Sequence, residues 1–193
     1  MFNIFLRAIT FFLLLIRGRY WHTSGKKAKE EKPSLKKTRS FQSYGGWLST
    51  YILEGLIFLQ LAGIITLFPF KNVWVEVLGF LLVVMGLTIS IVARKELDTN
   101  WSHAADYEIK KNHTLIKTGI YHFIRHPIYF GLALSWIGAE MVAGSYLYVS
   151  FFALFIAFYI QGKREEKNFL RSHFGAEYKE YMKKTKMLIP FIL

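Results

Sequence analysis

Residues 73–93 read VWVEVLGFLLVVMGLTISIVA, and Glu76 is the single charged side chain among them. A membrane hydrocarbon core of ~30 Å is crossed by about 20 helical residues, which is the length of this run. Lys71 precedes the run and Arg94-Lys95 follows it, so charge returns at both ends. The run therefore predicts a helix that spans a membrane.

Further apolar runs lie on both sides of this helix. Residues 47–68 predict a second span, joined to the first by a turn at 69–72. Residues 127–161 predict a helical hairpin with two short arms, bent at Ala143-Gly144-Ser145. With residues 2–16 as a shorter first helix, the sequence predicts an all-α, polytopic integral membrane protein with about five transmembrane helices.

The first helix admits a second interpretation, because residues 2–16 are short for a span. They could instead form an amphipathic helix that lies on the membrane surface. The residues that follow are Arg17-Gly18-Arg19-Tyr20, which do not form a small-residue cleavage site. This sequence speaks against a cleaved signal peptide.

The chain has a formal net charge of +12, although 53% of its residues are hydrophobic. Lys and Arg lie outside the apolar runs, chiefly in predicted loops at 17–46 and 94–127 and in a C-terminal tail at 162–193. An anionic membrane face is therefore a better partner than nucleic acid. The positive-inside rule places these segments in the cytoplasm and the N-terminus outside. The lack of cysteine excludes disulfides and thiolate metal sites.

The polar chemistry is concentrated in the second part of the chain. We divide the chain into membrane helices at 1–99 and a catalytic region at 100–193, whose cofactor pocket is cytosolic. Residues 163–181 predict an amphipathic helix in the tail, from the helical spacing of their apolar side chains. A two-helix hairpin returns to the side that it left, so the clusters flanking it can meet. The polar clusters are 113–116, 119–131 and 163–166.

Arg125-His126-Pro127 starts the first helix of the hairpin, because proline suits the first helical turn, where its missing N–H would be unpaired. The N–H groups that follow, and the positive end of the helix dipole, favour a carboxylate or a phosphate. The alternative is an ordinary end of a span, with Arg125 and His126 reaching the lipid headgroups.

Glu165 and Glu166 directly follow the hairpin. Adjacent carboxylates project at ~100° to each other on a helix, so one can face a pocket while the other faces solvent. Such a carboxylate could bind ribose hydroxyls or an ammonium group, whereas a solvated charged face is the simpler alternative. His122 and His126 are four residues apart, but no glutamate accompanies them as in a zinc-binding helix, so we predict no metal site.

Four motifs follow one another in residues 100–193. They are Gly119-x-Tyr121-x3-Arg125-His126-Pro127-x-Tyr129-x-Gly131, Glu165-Glu166, Phe174-Gly175-x-Glu177-Tyr178-x2-Tyr181 and Pro190-Phe191-Ile192. This order resembles the isoprenylcysteine carboxyl methyltransferase family and its wider relatives among membrane-bound methyltransferases. The resemblance implies S-adenosylmethionine as cofactor, S-adenosylhomocysteine as product, and a lipophilic acceptor from the lipid bilayer, such as the carboxylate of a prenylated cysteine.

The resemblance also implies which residues form the site. Eukaryotic members carry an arginine where this chain has Gly162. Its role of orienting the acceptor carboxylate would pass to Arg164, with neighbouring Lys163 as the alternative. Glu165 is the second candidate catalytic residue. The acceptor carboxylate is already ionised near neutral pH, so transfer needs alignment rather than a strong general base. The implied cofactor-binding positions are His113, Thr114, Leu115, Ile116, Tyr121, Arg125, His126, Pro127, Ile128, Tyr129 and Glu166.

Three other functions remain open from the sequence. A phospholipid or small-lipid N-methyltransferase would share the cofactor site and differ in the acceptor. A sterol-type reductase of related architecture would use NADPH, for which no residue here points to a 2′-phosphate contact. A non-enzymatic scaffold would use the basic segment 17–46 to hold anionic lipids or a partner.

Overall fold

The structure is a computed structural model that describes residues 2–31, 34–37, 41–101, 108–110, 112–190 and 192. The described part is predominantly helical, in agreement with the predicted class. One short antiparallel ribbon, which the sequence did not predict, pairs β1 (Ser34–Lys37) with β2 (Glu108–Lys110). The helices are α1 (Phe2–Glu31), α2 (Phe41–Leu61), α3 (Val73–Leu97), α4 (Pro127–Val142), α5 (Tyr148–Phe151), α6 (Ala153–Glu165) and α7 (Arg171–Lys184).

The centre of the fold is the contact between α3 and α4, which is built on glycine. A Cβ atom placed on Gly79 would lie 2.7 Å from the carbonyl oxygen of Gly138, and one on Gly131 would lie 2.5 Å from that of Gly86. The two backbones therefore touch directly, as in membrane helix pairs with small residues at the interface. This seam, formed by the four glycines, fixes where α4 begins relative to the end of α3.

One described helix, Val73–Asn100, is long and apolar enough to cross a membrane. Leu48–Leu61 and Pro127–Val142 are also apolar but shorter, so the structure supports one of the five predicted spans by length and composition. The span predicted at 47–68 is wrong at its C-terminal end, because α2 ends at Leu61.

Gly63 accounts for this early end of α2. Its φ of 72° reverses the chain, its N–H donates to the carbonyl of Gln60, and the Ile64 N–H donates to that of Leu59. This is the pattern that closes many helices at a glycine in the left-handed conformation. The apolar composition of residues 62–68 therefore does not continue the helix.

The basic segment 17–46, predicted as a loop, is largely helical where the structure describes it. Helix α1 continues to Glu31, and α2 already begins at Phe41. Residues 17–31 contain no proline, and Lys and Glu favour helix, as the Lys27–Glu31 ion pair at 3.6 Å illustrates. The same helix is tied to α2 by Arg17 and Glu54, whose side chains approach to 2.8 Å.

Residues 94–127 contain more helical structure than predicted, and the tail helix is less regular than predicted. Helix α3 extends past Ala93 to Leu97, and short 3-10 turns follow at Asp98–Asn100 and Gly119–His122. Residues 102–107 and 111 of the predicted loop lie outside the described part. The amphipathic helix predicted at 163–181 is divided by a π turn, Glu166–Leu170, and is kinked at Gly175.

Many large apolar side chains point outward, as expected of a protein whose surface faces lipid. Ile4 and Phe5 on α1, Trp74 on α3 and Ile156 on α6 are each more than 60% exposed. A water-soluble chain rarely leaves such side chains uncovered over so many helices. The exposed surface therefore agrees with an integral membrane protein.

Candidate active site

The site is assembled where α4 begins. Pro127 occupies the first turn of α4, and His126 precedes it without a capping hydrogen bond from its side chain. The tail holds this junction in place, because the N–H groups of Arg125 and His126 donate to the carbonyls of Lys186 and Met187 at 2.9 and 3.0 Å. The predicted helix start is thus part of a two-segment structure rather than a free helix end.

Glu166 is the centre of the charged network. Its Oε1 lies 2.7 Å from Arg125 Nε and 3.2 Å from His126 Nε2. Burial, together with the nearby Glu166 carboxylate, raises the pKa of Tyr178. Burial alone would raise the pKa of Glu166. The hydrogen bonds and charges of His126 and Arg125 outweigh burial and hold that pKa at about 2. Glu166 is therefore an ionised carboxylate inside the protein.

Glu165 has a different environment although it is the neighbouring residue. It accepts hydrogen bonds from the Tyr129 hydroxyl and, at 3.2 Å, from Gln161 Nε2, and its Oε2 lies 3.8 Å from His126 Nδ1. Burial raises the pKa of Glu165 above its ordinary value, against the opposing effects of His126 and Tyr129. The imidazole of His126 therefore lies between two carboxylates whose pKa values are shifted in opposite directions.

Aromatic stacking fixes the side chains at the start of α4. The rings of His126 and Tyr129 are parallel within 5°, with centroids 5.5 Å apart, and Tyr129 stacks in turn on Phe158 of α6 at 5.2 Å. This stack joins the first turn of α4 to the helix that carries the two carboxylates. It also limits the positions that the His126 ring can take between them.

The loop before the site is attached to α7. The His113 ring lies 5.5 Å from that of Phe174, and Lys117 Nζ lies 2.6 Å from Glu177 Oε1. The Tyr181 hydroxyl donates to the backbone carbonyl of Tyr121, which brings the next turn of the loop to the same helix. Helix α7 thus connects the predicted loop cluster with the predicted hairpin cluster.

Five of the thirteen predicted site residues contact one another in one cluster, namely Arg125, His126, Tyr129, Glu165 and Glu166. Of the remaining predicted positions, Tyr121 and Pro127 are buried, His113, Leu115, Ile116 and Ile128 are half-buried, and Thr114 is exposed and bonds to Asn100.

Arg164 lies outside this cluster. Its side chain is exposed and makes no hydrogen bond or ion pair with any residue that the structure describes. Gly162, where the resemblance predicts the family's arginine, has close neighbours. A Cβ atom there would lie 2.9 Å from Met187 Cε and 3.1 Å from the His126 ring. The ring of His126 thus occupies space that an arginine at position 162 would need.

Gln161, Phe158 and Tyr178 belong to the site although the sequence did not single them out for it. Gln161 precedes Glu165 by one helical turn, a spacing that could have indicated their contact. Tyr178 belongs to the tail motif at residues 174–181, but its helical spacing predicted only that it packs on the apolar side of the tail helix. Phe158 carried no signal that distinguishes it from the other apolar residues of α6.

Comparison with known proteins gives this arrangement a family. The model of the family described as phospholipid methyltransferase matches residues 74–177. The protein-S-isoprenylcysteine O-methyltransferase of Saccharomyces cerevisiae is 30% identical over 99% of this chain and 80% of its own length. The chain belongs to the isoprenylcysteine carboxyl methyltransferase family. The family resemblance in the sequence is thereby confirmed, and the chain is a methyltransferase of this kind.

Other members of the isoprenylcysteine carboxyl methyltransferase family match over shorter lengths. The human enzyme is 32% identical over 62% of this chain, which spans 42% of the human protein. A solved eukaryotic intramembrane Ras methyltransferase of the family superposes with a TM-score of 0.55, covering 77% of this chain and 50% of that one at 24% identity. That likeness shows a shared fold, and the chain spans about half the length of these relatives.

Proposed function

We propose that this chain transfers a methyl group from S-adenosylmethionine to the carboxylate of a prenylated cysteine or a similar isoprenoid. The observation that supports it most is the placement of His126 between Glu165 and Glu166. That placement joins two of the four motifs that carry the family resemblance, the Arg125-His126-Pro127 motif and Glu165-Glu166. The relatives named for isoprenylcysteine favour a carboxylate acceptor over the amine of a phospholipid.

The residues at the start of α4 fit the charges of S-adenosylmethionine. Its methionyl end carries a carboxylate and an ammonium group, and its sulfonium supplies an electrophilic methyl group. The uncapped start of α4 suits the carboxylate, because helix N-termini favour anions. Glu165 suits the ammonium group, and half-buried Leu115 and Ile116 suit the adenine. Tyr121 and the loop from His113 would close this site from the side of α7.

Glu166 has a supporting role in this proposal. Its carboxylate already accepts hydrogen bonds from Arg125 and His126, so its main effect is to hold these groups in position. His126 in turn presents its other ring nitrogen towards Glu165. Preorganised charges of this kind need little rearrangement during a reaction. We therefore assign Glu166 to the support of the cofactor site rather than to the acceptor.

The acceptor is expected to reach the site from the bilayer, with its lipid tail passing between the membrane helices. Its carboxylate needs alignment more than activation, since it is ionised near neutral pH. Arg164 is exposed on α6 and remains our candidate for orienting that carboxylate. We further propose five membrane passes with the active site in the cytoplasm, on the basis of the basic segments between the apolar runs.

The first experiment is a calorimetric titration of S-adenosylmethionine and S-adenosylhomocysteine into detergent-purified protein. We expect micromolar binding that Glu166→Ala abolishes and that Glu30→Gln, a change on an exposed carboxylate of α1, leaves intact. Absence of binding by a well-folded wild-type sample would reject the cofactor assignment and bring NADPH forward as the ligand to test.

A second assay identifies the acceptor. Radiolabelled cofactor is incubated with farnesylated and geranylgeranylated cysteine derivatives and, separately, with ethanolamine phospholipids. We expect a base-labile methyl ester on the prenylated compounds. A methylated amine instead would show that the chain is a lipid N-methyltransferase, and the cofactor site would stand unchanged.

A further inference from the structure

A cavity of about 520 Å³ lies beside α6, on the side of the tail. Lysines from three separate segments line it. Lys163 and Lys167 come from the end of α6 and the π turn, Lys183 and Lys184 from the end of α7, and Lys186 from the tail. A helix end attracts cations, which accounts for Lys163 on α6 and for Lys183 and Lys184 on α7. Lys167 precedes α7 and Lys186 follows it, so their convergence on the same cavity requires another explanation.

Few of these charges are neutralised within the protein. Lys183 pairs with Glu180 at 2.6 Å, and Lys163 lies over the ring of Tyr159 at 4.5 Å. Glu166 and Arg125 also line the cavity, but they are bound to each other. The side chains of Lys167, Lys184 and Lys186 make no hydrogen bond or ion pair with any residue in the described ranges.

The charge of the cavity distinguishes it from the cofactor site. S-adenosylmethionine has two cationic centres and one carboxylate, so a cavity lined by five lysines repels it. Of the positions that the sequence implied for cofactor binding, only Arg125 and Glu166 line this cavity. An anionic group with more than one oxygen acceptor is the appropriate ligand.

An apolar strip leads to the cavity along α6. Phe152, Ile156 and Ile160 are 55%, 65% and 45% exposed, and Lys163 and Lys167 continue the same helical spacing. One face of this segment therefore changes from exposed apolar side chains to exposed lysines at the point where the cavity opens. This order matches a phospholipid, whose acyl chains end in a charged headgroup.

We propose that the lysine cavity binds the phosphate of an anionic phospholipid whose acyl chains lie along Phe152, Ile156 and Ile160. The lysine cavity adjoins the candidate active site, with which it shares Arg125 and Glu166, but lipid binding by its lysines goes beyond methyl transfer. The proposal rests on the position of the chain in a membrane. Basic residues beside a span are attracted to anionic lipid, and these residues also surround a concave space. Phosphatidic acid, with an exposed phosphate, is the simplest probe of the site.

The test is native mass spectrometry of the full chain released from vesicles of phosphatidylcholine containing a minor fraction of phosphatidic acid. The wild type should retain phosphatidic acid in preference to phosphatidylcholine. Each lysine near anionic lipid contributes roughly fivefold to affinity. The triple variant Lys167→Gln, Lys184→Gln, Lys186→Gln should therefore lose this preference by at least about tenfold. Lys163 is kept because it adjoins the proposed active site.

A matched variant separates the cavity from general charge. Lys26→Gln, Lys95→Gln, Lys179→Gln removes the same charge from exposed positions that do not line the cavity, and it should keep the wild-type lipid preference. Equal loss in both variants would overturn the proposal. Displacement of the lipid by millimolar inorganic phosphate would also overturn it, in favour of a soluble anion. Binding of S-adenosylmethionine, measured on the same samples, reports separately on the cofactor site.

Discussion

Glu165 and Glu166 show how strongly one step along a helix changes the chemistry of a side chain. Glu166 faces Arg125 and His126 and is held ionised, whereas Glu165 faces Tyr129 and is pushed towards its protonated form by burial. The sequence predicted that adjacent carboxylates would point in different directions. It could not predict their partners, because those depend on where the tail and α4 meet.

We expect the stability that Glu166 contributes to depend on pH. Its folded pKa of about 2 lies below the ordinary value of 4.5, so its contribution is present above pH 4.5 and is lost as the pH falls towards 2. At neutral pH the contribution is on the order of 3 kcal/mol. Thermal unfolding of the wild type and Glu166→Gln should therefore differ most near pH 7 and converge in acid. A difference independent of pH would contradict this assignment.

Gly162 should be sensitive even to alanine. The added methyl group would meet Met187, whose flexible end can move, and the ring of His126, which is held by stacking and hydrogen bonds. We expect Gly162→Ala to lower the rate of methyl transfer by about tenfold, through displacement of His126, with little change in melting temperature. Gly18→Ala, where nothing lies within 4 Å, serves as the control and should leave the rate unchanged.

At the scale of helices, the seam between α3 and α4 determines the arrangement of the rest. Both helices could be predicted from their apolar runs, and the start of α4 from Pro127. The seam could not, because glycines in an apolar run are equally consistent with lipid contact and with helix packing. Only the facing positions of Gly79 with Gly138 and Gly86 with Gly131 reveal its role.

Gly86→Ala should destabilise the protein strongly. Its Cβ atom would lie 2.7 Å from the backbone nitrogen of Ser135 and in contact with the carbonyl of Gly131, and neither can move alone. Overpacking of this kind typically costs about 1–3 kcal/mol, and separation of two backbones places this site at the upper end. Gly55→Ala on α2, where nothing lies within 4 Å, should keep the wild-type melting temperature in detergent. Equal melting of the two variants would show that the seam can relax.

The ends of helices were the least predictable elements. Helix α2 ends at Leu61 although apolar residues continue to Phe68, because Gly63 takes a left-handed conformation. Helix α1 runs to Glu31 because Lys and Glu continue a helix that has already left its apolar part. Composition distinguishes apolar from polar segments, whereas a helix ends where its backbone hydrogen bonds are closed by something else.

Across the whole molecule, α7 holds together parts of the site that are far apart in sequence. Tyr181 reaches the carbonyl of Tyr121 and is buried, and the residues after it pair with Arg125 and His126. The prediction of an amphipathic tail helix identified the apolar face. It did not predict that the helix holds the loop before the site in place, because an apolar face alone does not show which residues pack against it.

Tyr181→Phe should weaken cofactor binding without unfolding the protein. It removes one hydrogen bond between α7 and the loop, which contributes about 1 kcal/mol, so the affinity for S-adenosylmethionine should fall by about fivefold. Tyr146→Phe removes a hydroxyl from a side chain that is 55% exposed and should bind like the wild type. Calorimetry on both variants measures the difference. An unchanged affinity of Tyr181→Phe for S-adenosylmethionine would show that α7 does not support the cofactor site through this hydrogen bond.

The orientation in the membrane can be tested by labelling single introduced cysteines, because the chain has no cysteine that would first have to be replaced. A single cysteine at Asn3 should be labelled by an impermeant maleimide only from outside the cell, as the five-pass proposal requires. A cysteine at Glu180 on α7 should be labelled only from the cytoplasm. Labelling of both from the same side would mean an even number of passes, with residues 2–16 lying on the surface instead of crossing.

The glycine seam has a mechanical consequence for the access of a lipid substrate. Two helices in backbone contact move as one rigid unit, and His126 belongs to that unit because it directly precedes α4. Glu165 and Glu166 belong instead to α6 and the π turn, which contact the α3–α4 unit through side chains. If the protein opens towards the bilayer, the hinge therefore lies on the α6 side, and each opening pulls both carboxylates away from the imidazole. Admission of the acceptor would thus disconnect the charge network, and closure behind it would restore the network.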